Sequence, residues 1–296
     1  FNTHLKMLES FFKIVLVGAS QDVIELINNL VVETYERKGI TETTDCSNFK
    51  AEDFPLFSDL LETLQAKDKE SMDSLTLRDM RTAELYLQKF VTGRYSDIWN
   101  APSTLGVDAD IIDFNFQSLF ANKNNVVANS QMLLVFRFIE QEVINAREMN
   151  RYGKNLHTLI IVDEGHLFID AKFPIALDFF YQMSKRIRKY NGSFIPATQN
   201  VADWNANEEL RSKTSAIIKN SQYLFIFKLA APDMKDVLDV YKAGDSFNEE
   251  EQRMIISAVT GQAFFVGSSE LRASIRIKSG EYARELFEDK TNTEEK

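Results

Sequence analysis

The sequence predicts an α/β protein, a sheet with helices on both faces, into which an all-helical subdomain is inserted. Three observations lead there. From Asn2 to about Arg94 apolar residues recur at helical spacing and almost nothing else appears. After Asn155 short unbroken apolar runs alternate with helical stretches, and buried parallel strands read as such runs of Val, Ile, Leu and Phe. Near the C-terminus two alternating segments sit close enough for a hairpin.

Taken in order, 21–38 is a helix on the spacing of Val23, Ile27, Leu30, Val31 and Thr34, with Gly39 as its stop. A polar stretch at 41–53 precedes helices at 54–64 and 68–92, the second ending at Gly93. A strand is predicted at 109–116, then a long amphipathic helix at 126–150 carrying Met132, Val135, Phe136, Ile139, Val143 and Ile144. The later region reads strand 156–162, helix 173–190, strand 193–198, helix 210–219 and strand 223–227. Helices at 233–241 and 249–259, a hairpin pairing 262–266 with 271–277 and a helix at 281–288 close the fold. The expected division is a mainly helical subdomain over 1–105, an α/β core over 106–290 and a polar tail over 291–296.

Composition narrows the function. The 296 residues are 44% hydrophobic and 11% aromatic, enough for a sizeable core. With 34 Lys and Arg against 44 Asp and Glu the net charge is −10, so the chain as a whole has no attraction for nucleic acid or anionic lipid. Any such contact has to be local. The longest apolar runs fall far short of the roughly 20 residues that span a bilayer. One cysteine, Cys46, excludes an internal disulfide framework, and His4, His157 and His166 are too widely spaced for an HExxH pattern. The reducing cytoplasm is the compartment this suits. The absence of an initiating Met at Phe1 leads to the expectation that the chain starts inside a longer protein.

The sharpest motif is Leu159-Ile160-Ile161-Val162-Asp163-Glu164, a buried strand ending in two adjacent carboxylates. This is the Walker B arrangement: a rigid strand end holds Asp163 near a Mg²⁺-nucleotide, with Glu164 beside it as base for the attacking water. The plain alternative is two acids opening an exposed loop. One strand further on, Thr198 and Gln199 stand at a strand end, and in α/β sheets ligands sit outside the carboxyl ends of the strands. Gln199 could sense a γ-phosphate or orient the water; it could equally cap a turn. The cluster Lys185, Arg186, Arg188 and Lys189 ends a helix before Asn191-Gly192, which complements the helix dipole. Arg186 or Arg188 could instead face a phosphate, in its own site or across a subunit interface. His166 reads as a packing residue or one that supports its neighbours. None of the 11 glycines opens a GxxxxGK[ST] loop, so either that loop precedes Phe1 or the chain is not an ATPase.

The order of features resembles the ATPase domain of the type IV secretion and conjugative-transfer ATPases, the TraC-like, VirB-four class within the FtsK/HerA branch of P-loop motor proteins. It is carried by Tyr35-Glu36-Arg37-Lys38-Gly39-Ile40, the Gly93-Arg94-Tyr95-Ser96 turn before Ile98-Trp99, and Ile111-Ile112-Asp113-Phe114. The Walker B strand, the Arg188-Lys189 turn and the Thr198-Gln199 strand end follow in family order. An aromatic often follows the acidic pair in the family, where this chain has Gly165-His166. The resemblance implies a RecA-like P-loop NTPase sheet, ATP and Mg²⁺ as ligands, and ATPase activity in the full-length protein, with these residues inactive alone for want of a Walker A loop. It implies that Asp163 holds the Mg²⁺ water shell, Glu164 activates water, Thr198 lies at the nucleotide, Gln199 senses the γ-phosphate and Arg188 is an arginine finger. It also implies a hexameric ring at the cytoplasmic face of the membrane, working with secretion-channel and coupling proteins. A DNA-translocating coupling protein or HerA-like helicase is the first alternative, though net charge gives no sign of DNA contact; a non-catalytic scaffold is the second.

Overall fold

The computed structural model describes residues 1–70, 72–105, 109–121, 124–170, 173–199, 208–241 and 246–287. The tail expected at 291–296 lies outside them. The chain packs as two compact units, Phe1–Ile139 and a second from Glu140 onward. The first holds α1 (Asn2–Val15), α2 (Gln21–Arg37), α3 (Phe57–Gln65), α4 (Ser74–Val91), the short α5 (Ser96–Trp99) and α6 (Gln117–Ala121), and most of α7 (Asn125–Arg151). The second holds the end of α7, then β1 (Thr158–Val162), α8 (Pro174–Arg186), β2 (Gly192–Pro196), α9 (Glu208–Asn220) and β3 (Leu224–Ile226). It closes with α10 (Ala231–Tyr241), α11 (Glu249–Ile256), β4 (Gln262–Val266), β5 (Arg272–Arg276) and α12 (Glu281–Phe287).

In the first unit the helical periodicity becomes an aromatic core. Phe11, Phe12, Ile27, Leu30, Leu64, Leu87 and Phe90 are buried, and the Phe57 and Phe90 rings stack 4.6 Å apart. Helix ends sit where the sequence marks them: Ser20 Oγ accepts the Val23 N–H, Asp73 accepts those of Leu75 and Thr76, and Gly39 takes the left-handed φ of +76° after α2. The strand expected at 109–116 is not formed. Burial alternates there as in a strand, with Ile112, Phe114 and Phe116 half-buried and their neighbours exposed, but no ladder partner exists among the described residues. Phe114 and Phe116 pack instead on Phe138 and Phe136 of α7.

In the second unit β1 and β2 pair in parallel, Thr158 with Gly192 through Val162 with Pro196. Phe179 and Phe180 of α8 lie against Phe194 of β2 on one face. The unbroken apolar run of β1 predicts burial on both faces, yet burial alternates: Ile160 is 8% exposed, Leu159 53% and Ile161 64%. α8 covers the Ile160 side, which is why that side is the dry one. The run at 224–226 is likewise not a parallel strand. β3 pairs antiparallel with β4 and β4 with β5, since a nearby hairpin offers β3 a partner without another crossover. Ile226, Met234, Val237, Phe247, Ile255 and Phe264 form the core under that sheet. No helix among the described residues is long and apolar enough to cross a membrane.

One ion pair ties α11 to β5. Arg272 donates from Nε to Glu251 Oε1 at 2.6 Å and from Nη2 to Oε2 at 2.9 Å, both side chains being 13% exposed. Oε2 also accepts the Asn248 N–H, completing a capping box at the start of α11. The hydrogen bonds from Arg272 hold the Glu251 carboxyl below its ordinary value against an opposing push from burial. A lowered folded-state pKa contributes stability above the unfolded value that is lost as pH falls through the folded one. Glu251→Gln is therefore expected to cost roughly 1.5–3 kcal/mol near neutrality, with the two melting curves converging below the ordinary glutamate value of 4.5. A difference that persists unchanged in acid would contradict the charged pairing.

Candidate active site

Parallel pairing in register brings the ends of β1 and β2 out side by side, since Val162 faces Pro196. Asp163 and Glu164 follow the first strand, Ala197, Thr198 and Gln199 the second. Two backbone hydrogen bonds carry the pairing past the strand ends. The Ala197 N–H donates to Val162 O at 2.8 Å, and the Gly165 N–H to Ala197 O at 2.6 Å. Glu164, caught between them, adopts φ +50° and ψ +44°, a left-handed conformation that costs a residue with a side chain about 1–2 kcal/mol. The Gly165–Leu167 3₁₀ turn begins directly after it.

The two carboxylates are held differently. Asp163 is exposed, and its Oδ1 accepts the Glu164 N–H at 2.9 Å. Glu164 is half-buried; its Oε1 accepts from Gln199 Nε2 at 2.5 Å, a bond that joins the ends of the two strands. An ionised carboxylate only accepts, so the Gln199 amide nitrogen is the atom that must face it. Glu164 Oε2 lies 3.2 Å from His166 Nδ1; both atoms are buried, and neither makes a hydrogen bond among the described residues. Thr198 is half-buried between Ala197 and Gln199.

No family model matches the chain. Protein TraC of Escherichia coli (strain K12) is 26% identical over 194 residues, which is 64% of this chain and 21% of TraC. The solved structure of VirB4 of Thermoanaerobacter pseudethanolicus superposes with a TM-score of 0.72 and 26% identity, over 95% of this chain and 70% of that one. The chain is TraC-like and VirB4-like. Its α/β architecture, a parallel pair with helices, is the one VirB4 has. The bacterial conjugative coupling protein TrwBΔN70 aligns at a TM-score of only 0.45 and 9% identity, too loose a likeness to carry an argument. The chain spans about a fifth of the length of TraC.

In this VirB4-like chain, four of the five residues singled out from sequence, Asp163, Glu164, Thr198 and Gln199, share one edge of the sheet. The fifth does not join them. Arg188 lies exposed in the Ile187–Tyr190 3₁₀ turn that leads into β2, so it stands at the start of that strand, about 16 Å of strand away from its end. A helix that feeds a strand delivers its last residues to the strand's first, whereas the acidic pair and Gln199 sit at the last. Lys185, Arg186 and Lys189 are exposed at the same far end. Asp163 suits a Mg²⁺-nucleotide, because Mg²⁺ in such sites takes one or two carboxylates and fills its shell with phosphate oxygens and water. No group of three metal-ligating side chains gathers among the described residues. Sequence reasoning reads His166 as a packing residue or one that supports its neighbours, and the structure sets its Nδ1 3.2 Å from Glu164 Oε2. The signal available was its position two residues on, within the same turn.

The left-handed backbone at Glu164 makes a prediction free of any activity. Glu164→Gly and Glu164→Val both delete the bond to Gln199, so the difference between them reports the backbone: Gly is expected to be the more stable by about 1–2 kcal/mol in thermal or chemical denaturation. Equal stability of the two variants would show that the turn is not strained.

Proposed function

We propose that this chain belongs to an ATP-hydrolysing motor subunit that powers assembly or substrate transfer in a conjugative type IV secretion system. The single observation that carries this reading is the Gln199–Glu164 hydrogen bond at the carboxyl ends of two parallel strands, beside an exposed Asp163. Likeness to TraC and VirB4 supports the same class. Mg²⁺ would supply charge neutralisation at the β- and γ-phosphates. Asp163 would hold that ion through water, Glu164 would take the proton of the attacking water, Gln199 would orient the water and read the γ-phosphate, and Thr198 would contribute to binding the nucleotide. ATP turnover in this class needs a GxxxxGK[ST] loop to cradle the phosphates, and none occurs in these 296 residues. Residues 1–105 form the helical subdomain of the motor and 106–290 its RecA-like core.

Because Arg188 stands at the far end of β2, its role in this reading is to reach a neighbouring subunit's nucleotide in a hexameric ring. The ring works peripherally at the cytoplasmic face of the cell membrane, against channel and coupling proteins.

Glu164→Gln, in a longer chain that carries the phosphate-binding loop, is expected to keep ATP binding and to lose hydrolysis by at least roughly 100-fold. Unchanged turnover would remove the carboxylate from the mechanism. Arg188→Ala should lower hydrolysis by about 10³–10⁵-fold with binding and melting unaltered. Mixing Arg188→Ala subunits with Glu164→Gln subunits should then recover part of the activity, since one interface pairs an intact Glu164 with an intact neighbouring Arg188. No recovery on mixing, or a lowered melting temperature of Arg188→Ala alone, assigns Arg188 to its own helix end instead.

A further inference from the structure

Among the described residues, only one oxygen of the Glu164 carboxylate is hydrogen-bonded. Gln199 donates to Oε1, while Oε2 is buried with His166 Nδ1 3.2 Å away as its facing polar atom, itself buried and without a hydrogen bond. Two polar atoms removed from water and left unpaired are unfavourable, and the contact between them is close enough for a modest rotation of the ring to close it. Carboxylate oxygens accept and cannot donate, so the contact is attractive only with the ring proton on Nδ1. The backbone beneath the imidazole leaves it little room to drift. Leu167 N–H donates to Glu164 O at 2.9 Å, Phe168 to Gly165 O and Ile169 to His166 O at 3.2 Å, and the Phe168 and Ile169 side chains are buried. Phe168 packs on Phe180 of α8, which anchors the turn to the covered face of the sheet.

We propose that His166 is a positioning residue for Glu164: its Nδ1–H holds Oε2 while Gln199 holds Oε1, fixing the carboxylate at both oxygens. It touches no substrate and acts through Glu164 alone. The proposal rests on the reading of Glu164 as the base, but the contact itself can be tested without nucleotide. A base set in one orientation is already aimed when water arrives, and misplacement by about 1 Å can cost on the order of 100-fold in rate.

The chain has three histidines, so side-chain ¹⁵N NMR resolves each ring. His166 is expected to carry its proton on Nδ1, and Glu164→Ala to return it to the Nε2–H form that a free imidazole prefers. A His166 that is Nε2–H in the unaltered chain overturns the proposal. In a longer chain that carries the phosphate-binding loop, His166→Leu is expected to lower kcat by roughly 10–100-fold with ATP affinity unchanged. His166→Asn, whose Nδ2 occupies the place of Nδ1, should rescue most of that loss; failure of Asn to rescue a folded protein overturns the proposal. Full activity of His166→Leu where Glu164→Gln is inactive also overturns it and leaves the proposed function standing. If Glu164→Gln itself stays active, the reading of the base fails, and the tautomer measurement alone decides whether His166 holds the carboxylate.

Discussion

The in-register parallel pairing of β1 with β2 is the constraint on which the candidate site depends. Each pair from Thr158–Gly192 to Val162–Pro196 fixes the next, and the backbone bonds at Ala197 and Gly165 extend the ladder into the acidic turn. A slip of one residue would turn Ile160 out of the core and point Glu164 away from Gln199, because side chains alternate with period two. The register is itself held by packing. Ile160 and Phe194 share the face that α8 covers, and at Gly192 a Cβ would come within 2.9 Å of both the Ile187 side chain and the Thr158 carbonyl, so the strands approach there as only glycine allows.

Strain at Glu164 follows from the same ladder. A glutamate would not choose left-handed backbone, but its neighbours are bonded on both sides and its carboxylate is tied across to the second strand. The result is a rigid acid beside a freer one: among the described residues Asp163 is exposed and bonded only through Oδ1 to its neighbour's N–H, while Glu164 is fixed in direction. Local order of this kind matters more than the −10 charge of the chain, which acts over the whole surface and distinguishes neither carboxylate.

Much of this was legible in the sequence, and the exceptions have physical causes. The apolar run ending in Asp163-Glu164 marked β1 and its end, because a buried strand has to be apolar and its polar continuation has to leave the sheet. Helices α2, α4 and α7 were visible from their periodicity. The segment 109–116 misleads because alternation records only one wet and one dry side; α7 supplies the dry side, and Ile111 is 89% exposed. Nor does an apolar run say whether its partner is parallel, which is how β3 differs from the expectation. Distances between residues far apart in the chain were the least legible. Gln199 reaching Glu164 follows from strand order, but Arg188 at the wrong end of β2 requires knowing which way the strand runs. The left-handed Glu164 has no sequence signature, and of the His166 contact only its place two residues after Glu164 is readable.

The turn that starts β2 also bears on how the folded chain ages. Asn191-Gly192 is the kind of dipeptide at which an asparagine loses its amide by cyclising onto the next backbone nitrogen. Neither residue is easily exchanged: Asn191 holds φ +54°, which asparagine tolerates, and Gly192 fills a space with no room for a Cβ. The fold keeps the pair and restrains its chemistry instead. Asn191 Nδ2 donates to Leu156 O at 2.7 Å and Gly192 is held in the ladder, so the side-chain carbonyl carbon is kept away from the Gly192 nitrogen that would attack it and expel ammonia. Deamidation at this bond is thereby tied to unfolding, and its slow accumulation in a stored sample is a clock for how often β2 comes loose from β1.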